Sequence, residues 1–127
     1  MIKLIVLCRR NQNLSRKAFI EHWRGVHARL AQADPDFWSR VRGYIQNYCL
    51  EPVGPPVGNT WDGVVELWFE SRSEMDAAFS GEQTQRVLVA DLGNFVDTNS
   101  MISLVTDENV IQAPTAAVSA RALSLEA

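Results

Sequence analysis

The sequence predicts an α+β fold in which four strands form one sheet and two main helices cover it. Three observations support this prediction. Four short apolar segments are arranged with helical stretches in the order strand, helix, strand, strand, helix, strand. The first of these segments is apolar on both faces, and 127 residues are enough for one domain but not for two.

The first strand and the first helix begin this order. Residues 2–9 are rich in branched apolar side chains, which predicts a strand that is covered on both sides. Ser15 is the expected N-cap of the helix that follows. At about 100° per residue, this helix presents an apolar stripe that contains His27 together with Phe19, Ile20, Trp23, Val26 and Leu30. The sequence Asp34-Pro35-Asp36 ends the helix or starts a short turn.

The next two strands are separated by a loop of helix and strand breakers. Residues 42–50 predict the second strand, with its two tyrosines on the same face. Residues 51–59 contain three prolines and two glycines and therefore predict a loop. Residues 61–69 are the clearest strand of the chain, since valine, leucine, tryptophan and phenylalanine dominate them.

The second half of the chain completes the order. Ser71 and Glu74 have the spacing of a capping box and predict a helix that runs through Phe79. Residues 83–92 predict a further helical stretch, and residues 99–106 predict the fourth strand. The full order is that of the ferredoxin-like βαββαβ fold, in which an antiparallel four-stranded sheet carries both helices on one face.

The second face of this sheet needs cover from elsewhere. The third strand presents Val65, Leu67 and Phe69 on one side, but it also presents Val64 and Trp68 on the other. Two helices on one face cannot bury both sets of side chains. A second copy of the chain, packed sheet to sheet, would bury the remaining set, so we expect a homodimer.

The composition excludes several classes of function. Twelve basic and fifteen acidic residues give a net charge of -3, which argues against a nucleic-acid partner. No apolar run approaches the roughly 20 residues that span a bilayer. The apolar segment at the N-terminus is short for a signal peptide and carries Lys3. Cys8 and Cys49 are far apart and form no CxxC motif, so we expect free thiols in a cytoplasmic protein.

Four segments of the sequence resemble the EthD family of dimeric α/β-barrel proteins. They are Phe19-Ile-Glu-His-Trp-Arg-Gly-Val-His-Ala28, Gly43-Tyr-Ile-Gln-Asn47, Asp62-Gly-Val-Val-Glu-Leu-Trp-Phe69 and the stretch from Asp91 to Asp97. The resemblance covers about residues 2–107, which divides the chain into an EthD-like domain at 1–108 and a C-terminal extension at 109–127. We expect the extension, which is mostly apolar, to pack on the partner subunit.

The resemblance implies a dimeric α/β barrel and a broad set of activities. Its superfamily includes cofactor-free monooxygenases, polyketide cyclases and decarboxylases, lactone isomerases and haem-handling proteins. It therefore implies an oxidoreductase of the monooxygenase type, or a lyase or isomerase, that needs no cofactor. Fold alone does not choose among these activities.

Two residues are the candidates for catalysis. His27 lies within an apolar stripe, so it is either a satisfied core side chain or an acid–base group that faces a pocket. Glu66 lies in the middle of a strand that we expect to be buried, where a carboxylate is either an ion-pair partner or a ligand-orienting group. His22 is about 140° from His27 on an α-helix, so we interpret it as a boundary residue that cannot share a metal ion with His27.

The candidates for substrate binding are aromatic and polar side chains that flank these two: Trp23, Tyr44, Asn47, Tyr48, Asp62 and Trp68. Phenols and amides in an otherwise apolar cleft suit a small aromatic or lactone-like ligand with a few oxygens. Each aromatic residue could equally serve packing, and Asp62 could be a solvated residue at the start of its strand. No motif for a metal site is present, and we expect none.

Three hypotheses of function follow. The first is a cofactor-independent enzyme in which His27 transfers a proton during oxygenation, cyclisation, decarboxylation or isomerisation of a small apolar, oxygen-bearing molecule. The second is a non-catalytic protein that binds a hydrophobic ligand or assists a degradation or oxygenase system. The third, which needs His27 as an axial ligand, is haem binding.

Overall fold

The computed structural model describes residues 1–51, 54 and 60–115. Within these ranges the predicted α+β, ferredoxin-like fold is confirmed. Four strands form one antiparallel sheet in the spatial order β2-β3-β1-β4. The strands are β1 at Ile2–Cys8, β2 at Gly43–Tyr48, β3 at Gly63–Phe69 and β4 at Ile102–Asp107.

The helices that follow Ser15 and Ser71 begin where the sequence predicts. The first helix covers residues 16–32, and it is α-helical at Arg16–Glu21, π-helical at His22–His27 and α-helical again at Ala28–Gln32. A short helix follows at Pro35–Trp38, and another lies at Arg72–Ser80. The last helix covers residues 84–95, and it is π-helical at Thr84–Val89 and α-helical at Ala90–Phe95.

Side-chain caps fix the start of two helices. The Ser15 hydroxyl accepts a hydrogen bond from the amide of Ala18 at 3.1 Å, and the Ser71 hydroxyl accepts one from the amide of Glu74 at 3.2 Å. Both predicted caps are therefore present. The Glu74 carboxylate forms an ion pair with Arg40 at 3.2 Å instead of completing the capping box.

One face of the sheet carries the helices and the core. The side chains that alternate onto this face from the two central strands include Leu4, Val6, Cys8, Leu67 and Phe69. Phe19, Trp23, Phe37 and Phe95 pack against them from the helices. The approach is closest at Gly63, where an added Cβ would lie 2.5 Å from the Trp23 ring. A residue larger than glycine therefore does not fit there.

The opposite face of the sheet, here called the open face, carries no helix among the described residues. Its side chains come from all four strands and are Lys3, Ile5, Leu7, Ile45, Asn47, Val64, Glu66, Trp68, Ile102, Leu104 and Thr106. Ile45, Ile102 and Leu104 are each more than two-fifths exposed. The open face thus combines an apolar surface with a charged group, in which Lys3 Nζ lies 2.6 Å from Glu66 and 2.8 Å from Glu108.

The described part of the chain extends eight residues past β4. Residues 108–115 are exposed, among them Val110 and Ile111. Most of the predicted C-terminal extension, residues 116–127, lies outside the described residues, and so does most of the predicted loop at 51–59. No helix in the described ranges has the length and apolar character that crossing a membrane requires.

Candidate functional site

A cavity of about 360 Å³ lies between the helices and the face of the sheet that they cover. Most of its wall is apolar, with Leu4, Val6, Leu67, Trp23, Phe37 and Phe95 among the side chains that form it. The polar side chains that line it are His27, Tyr44, Gln85 and Ser103. The described residues of the wall include no Asp, Glu, Lys or Arg. The cavity therefore suits an uncharged ligand, and its volume is in the range of small-molecule sites.

His27 is the imidazole in this wall. Its side chain is buried, and its ring lies 4.9 Å from that of Phe95, measured between centroids. Its Nδ1 lies 2.8 Å from Oδ2 of Asp91. Its Nε2 has no hydrogen-bond partner among the residues that the structure describes. Nε2 is therefore the nitrogen that a ligand in the cavity can reach.

Asp91, on the last helix, is the partner of both histidines. Besides His27, its carboxylate lies 3.0 Å from His22 Nε2 through each of its two oxygens. The Asn94 amide donates a further hydrogen bond to Oδ1 at 3.0 Å. Asp91 is itself buried. One buried carboxylate thus joins the first helix to the last at the edge of the cavity.

The π-helical segment explains why His22 and His27 reach the same carboxylate. The predicted separation of about 140° between them is wrong, since that angle assumes an α-helix. In a π-helix the hydrogen bonds join residues five apart, so residues separated by five positions lie about one turn apart. His22 and His27 are the two ends of such a segment. Both side chains consequently face Asp91.

The charge states of this group follow from burial and hydrogen bonding. Burial lowers the pKa of His27, against the opposing effect of its hydrogen bond with Asp91. Burial alone would raise the pKa of Asp91, but hydrogen bonds from Asn94, His27 and His22 together outweigh it and lower that pKa. At neutral pH, His27 is therefore uncharged and Asp91 is ionised.

Sequence reasoning missed Asp91 as a site residue, although a signal was present. Asp91 follows Leu88 by three positions and precedes Phe95 by four, which places all three on one face of a helix. A carboxylate on an apolar helix face requires a partner. The structure shows that this partner is the pair of histidines.

Three of the predicted binding residues lie on the same side of the sheet as His27. Trp23 and Tyr44 line the cavity. The Tyr44 hydroxyl accepts a hydrogen bond from the amide of Gln46 at 3.0 Å, and the Tyr48 hydroxyl donates one to the same side chain at 2.7 Å. Tyr48 faces a second, more polar groove outside the cavity, and its ring packs edge-on against that of Trp23.

Glu66, Asn47 and Trp68 lie on the open face, so the structure does not bring them together with His27. Residues of a strand alternate between the faces of a sheet, and Glu66 pairs with Ile5 and Ile45 on the face away from the helices. A joint site of His27 and Glu66, as the sequence suggested, is therefore not formed within one chain.

Glu66 has its own partners on the open face. Lys3 Nζ lies 2.6 Å from Oε2, and the Asn47 amide donates to Oε1 at 3.0 Å. Burial would raise the pKa of Glu66, but these two contacts outweigh it and lower that pKa. The same lysine lies 4.8 Å from the centroid of the Trp68 ring. Among the two alternatives from the sequence, the contacts match an ion-pair partner.

Asp62 lies at neither site. Its carboxylate accepts a hydrogen bond from the backbone amide of Arg10 at 2.9 Å and lies 3.8 Å from the Arg10 guanidinium. It thus attaches the segment before β3 to the segment after β1. In the described residues, no group of three or more His, Cys, Asp or Glu side chains is arranged to hold a metal ion.

Solved structures with the same fold include proteins of several kinds. An ethyl tert-butyl ether d (EthD) family protein from Bacillus halodurans is 21% identical, with a TM-score of 0.63 over 86% of this chain and 99% of that one. The hydroxynitrile lyase from Passiflora edulis is 15% identical, with a TM-score of 0.64 over 88% and 96%. A dimeric protein with a ferredoxin-like fold from Bacteroides fragilis is 14% identical, with a TM-score of 0.60 over 84% and 95%.

These identities are low, so the similarities establish the fold and not the activity. A comparison with curated protein sequences finds no match. The sequence profile of the EthD domain matches residues 11–99, which include His22, His27 and Asp91. Because that match covers more than half of the sequence, the chain belongs to the EthD domain family.

Proposed function

We propose that this protein is an enzyme that transfers a proton on a small, largely apolar, oxygen-bearing molecule held in the cavity, with His27 as the acid–base group. The observation that carries the proposal is the placement of His27. Its Nδ1 is held by Asp91, and its Nε2 is available in a wall that is otherwise mostly apolar. An imidazole in this position can accept or donate a proton near neutral pH.

The wall of the cavity supports the proposed class of substrate. Apolar and aromatic side chains favour a ring system, and the absence of Lys and Arg from the described wall disfavours a ligand with a permanent negative charge. The Tyr44 hydroxyl can donate a hydrogen bond to a carbonyl or phenol oxygen, since its own oxygen already accepts one from Gln46. The substrate class is therefore an aromatic, polyketide-like or lactone-like molecule.

The proposed chemistry begins with His27 as a base. Burial lowers its pKa, so the neutral imidazole is present at pH 7 and Nε2 can accept a proton from a carbon next to a carbonyl. The electron pair of that C–H bond moves onto the carbonyl oxygen, which Tyr44 stabilises by its hydrogen bond. Isomerisation, cyclisation and oxygenation can all begin with this step.

The proposal includes a homodimer without a bound cofactor. The open face leaves Ile45, Ile102 and Leu104 exposed, and a second sheet would cover them. The dimeric relative from Bacteroides fragilis supports this arrangement. His27 supplies the acid–base group itself, so the proton transfer needs no haem or metal. A visible absorption spectrum of the purified protein tests the haem hypothesis directly.

A non-catalytic ligand-binding protein is the second candidate, and the extent of the apolar wall is the observation that favours it. The two candidates differ in what happens to a bound ligand. A carrier leaves the C–H bonds of the ligand intact, whereas the proposed enzyme exchanges them with solvent. The hydroxynitrile lyase from Passiflora edulis is an example of a protein with this fold that is named as an enzyme.

Hydrogen–deuterium exchange of a bound ligand separates the two candidates. Hydroxylated aromatic ketones and lactones are first screened for binding by tryptophan fluorescence, since Trp23 lines the cavity. Ligands that bind are then incubated with the protein in D₂O, and loss of the C–H signal beside the carbonyl is followed by NMR. We expect His27→Gln to reduce this exchange at least about 100-fold while binding persists.

Glu66→Gln is the matched control, because it removes a carboxylate from the other face of the sheet. We expect this variant to exchange ligand protons at the rate of the unmodified protein. Equal exchange rates in His27→Gln and the unmodified protein would exclude His27 from the reaction. Binding without exchange for every ligand of the set would instead support the carrier.

A further inference from the structure

We propose that Asp91 is a positioning residue that holds the two histidines in opposite tautomers, and that His22 thereby adjusts the basicity of His27. In this arrangement the proton of neutral His27 is on Nδ1, and the proton of neutral His22 is on Nε2. The proposal deepens the proposed function, on which it rests, because it specifies how Nε2 of His27 is kept free of a proton in the cavity.

The tautomers follow from what an ionised carboxylate can do. A carboxylate accepts hydrogen bonds and donates none. His27 approaches Asp91 through Nδ1 at 2.8 Å, and His22 approaches it through Nε2 at 3.0 Å. Each of these nitrogens must therefore carry the hydrogen. The Asn94 amide also donates to the same carboxylate, which is consistent with an acceptor that is ionised.

The consequence for His27 is a defined role for each ring nitrogen. With the hydrogen fixed on Nδ1, Nε2 has a lone pair and can act only as an acceptor until His27 takes up a proton. The imidazolium that then forms keeps its Nδ1 hydrogen bond to the negative charge of Asp91. Asp91 touches no cavity surface of its own among the described wall residues, so it acts through His27.

His22 shares this carboxylate and is therefore coupled to His27. The His22 side chain is 24% exposed, whereas the His27 side chain is only 10% exposed. A proton on His22 places a positive charge beside the same carboxylate, and this charge opposes protonation of His27. Protonated His22 thus makes His27 a weaker base.

Among the described residues, the other titratable side chains in the wall of the cavity do not change charge near neutral pH. From the sheet, Tyr44 and Cys8 line the same cavity. Burial raises the pKa of Tyr44, and it raises the pKa of Cys8 to about 12. Both groups remain neutral. Asp91 and His22 are thus the groups that set the charge around His27.

Long-range ¹H–¹⁵N NMR of the imidazole rings tests the tautomers without any substrate. The sequence contains two histidines, so the spectrum has two ring systems, and His22→Gln and His27→Gln assign them. At a mildly alkaline pH we expect His27 to show a protonated Nδ1 and an unprotonated Nε2, and His22 to show the reverse. The same tautomer in both rings would overturn the proposal.

Two variants test whether Asp91 is the cause. In Asp91→Asn, the amide can accept a hydrogen bond from one ring, but its nitrogen must donate to the other, so we expect at least one ring to lose its tautomer. Asn94→Ala removes a donor from Asp91 without touching either ring, and we expect both tautomers to persist. Unchanged tautomers in Asp91→Asn would contradict the proposal. If that variant does not fold, the spectrum of the unmodified protein still decides.

A pH titration of the same signals tests the coupling. We expect the titration midpoint of His27 to shift upward in His22→Gln, because the competing positive charge is gone. An unchanged or lower midpoint would show that His22 does not adjust His27. These NMR measurements do not depend on hydrogen–deuterium exchange of a ligand. If both rings show the expected tautomers but no ligand exchanges its protons, the proposed function is rejected and this inference stands. If ligand protons exchange but both rings show the same tautomer, this inference is rejected and the proposed function stands.

Discussion

The two faces of the sheet each contain a buried or half-buried carboxylate, and they differ in what pairs with it. On the face covered by helices, Asp91 is paired with two imidazoles. On the open face, Glu66 is paired with the ammonium group of Lys3 and the amide of Asn47. Lysine stays charged over the physiological range, whereas an imidazole gains and loses its proton there. The comparison indicates that the basic group paired with the carboxylate, and not the carboxylate itself, distinguishes an acid–base site from a structural ion pair.

The two faces also differ in how tightly tryptophan packs against glycine. An added Cβ at Gly63 would lie 2.5 Å from the buried ring of Trp23, and one at Gly43 would lie 2.8 Å from the half-buried ring of Trp68. Gly63→Ala should destabilise the fold by about 3 kcal/mol, at the upper end for overpacking, because Trp23 cannot move outward. Gly43→Ala should cost less than about 1 kcal/mol, because Trp68 can tilt.

Urea unfolding at one protein concentration measures both changes in the free energy of unfolding. The protein concentration must be fixed, since the proposed dimer would add to the apparent stability. Equal losses in the two variants would show that both faces are packed equally tightly.

A charge on the open face should weaken the proposed dimer. Leu104→Glu places a carboxylate on an exposed position of this face, and a symmetric contact would bring two such charges into one interface. We expect the dissociation constant of the dimer to rise at least about tenfold, which corresponds to about 1.4 kcal/mol. Sedimentation velocity over a dilution series measures this constant.

Val87→Glu is the matched control for Leu104→Glu. Val87 is similarly exposed, but it lies on the last helix, on the other side of the molecule from the open face. We expect this variant to dimerise as the unmodified protein does. A dimer that persists in Leu104→Glu and dissociates in Val87→Glu would place the interface on the helices.

The smallest expected effect is on the pH dependence of the free energy of unfolding, to which His27 contributes at a higher pH than Asp91 and Glu66 do. The folded chain lowers the pKa of His27 below 6.5, so the unfolded chain binds this proton more readily. Stability therefore falls as the pH decreases from about 6.5, by less than about 1.4 kcal/mol per pH unit. The pKa values of Asp91 and Glu66 are also lowered, from 3.8 and 4.5, so their contributions are lost at lower pH.

Thermal unfolding at a series of pH values detects both losses of stability, the one that begins near pH 6.5 and the one at lower pH. His27→Gln should remove the loss of stability that begins near pH 6.5, because its side chain does not titrate. Glu66→Gln should keep that loss and reduce the one near pH 4. If His27→Gln retains the first step, then another group causes it and the neutral state of His27 is wrong.

Strand periodicity correctly grouped Val64, Glu66 and Trp68 on one face, but it could not tell which face holds the cavity. Both faces are apolar, and the helices determine the choice through contacts that are distant in sequence. The same limit explains why Glu66 was grouped with His27. The stripe of the first helix placed His27 correctly, but it wrongly included Val26, which is 45% exposed on the π-helical segment.

Sequence periodicity could not predict the π-helical segment. A rotation of about 100° per residue describes the two ends of the first helix but not its middle. The two histidines of this segment contact Asp91 on the last helix, and neither helix shows this contact in its own sequence. Asp91 was detectable as a lone carboxylate on an apolar face, yet its partners depend on this segment.

The same segment has a consequence for changes in chain length. A turn closed between residues five apart contains one residue more than a turn closed between residues four apart. Gly25 lies inside it, and nothing stands within 4 Å of the position of its missing Cβ. Deleting Gly25 would convert the segment to an ordinary α-helical turn without rotating Arg16–Glu21 relative to Ala28–Gln32. A deletion here would therefore keep the two halves of the helix in register, but it would also end the spacing that lets His22 and His27 reach Asp91 together.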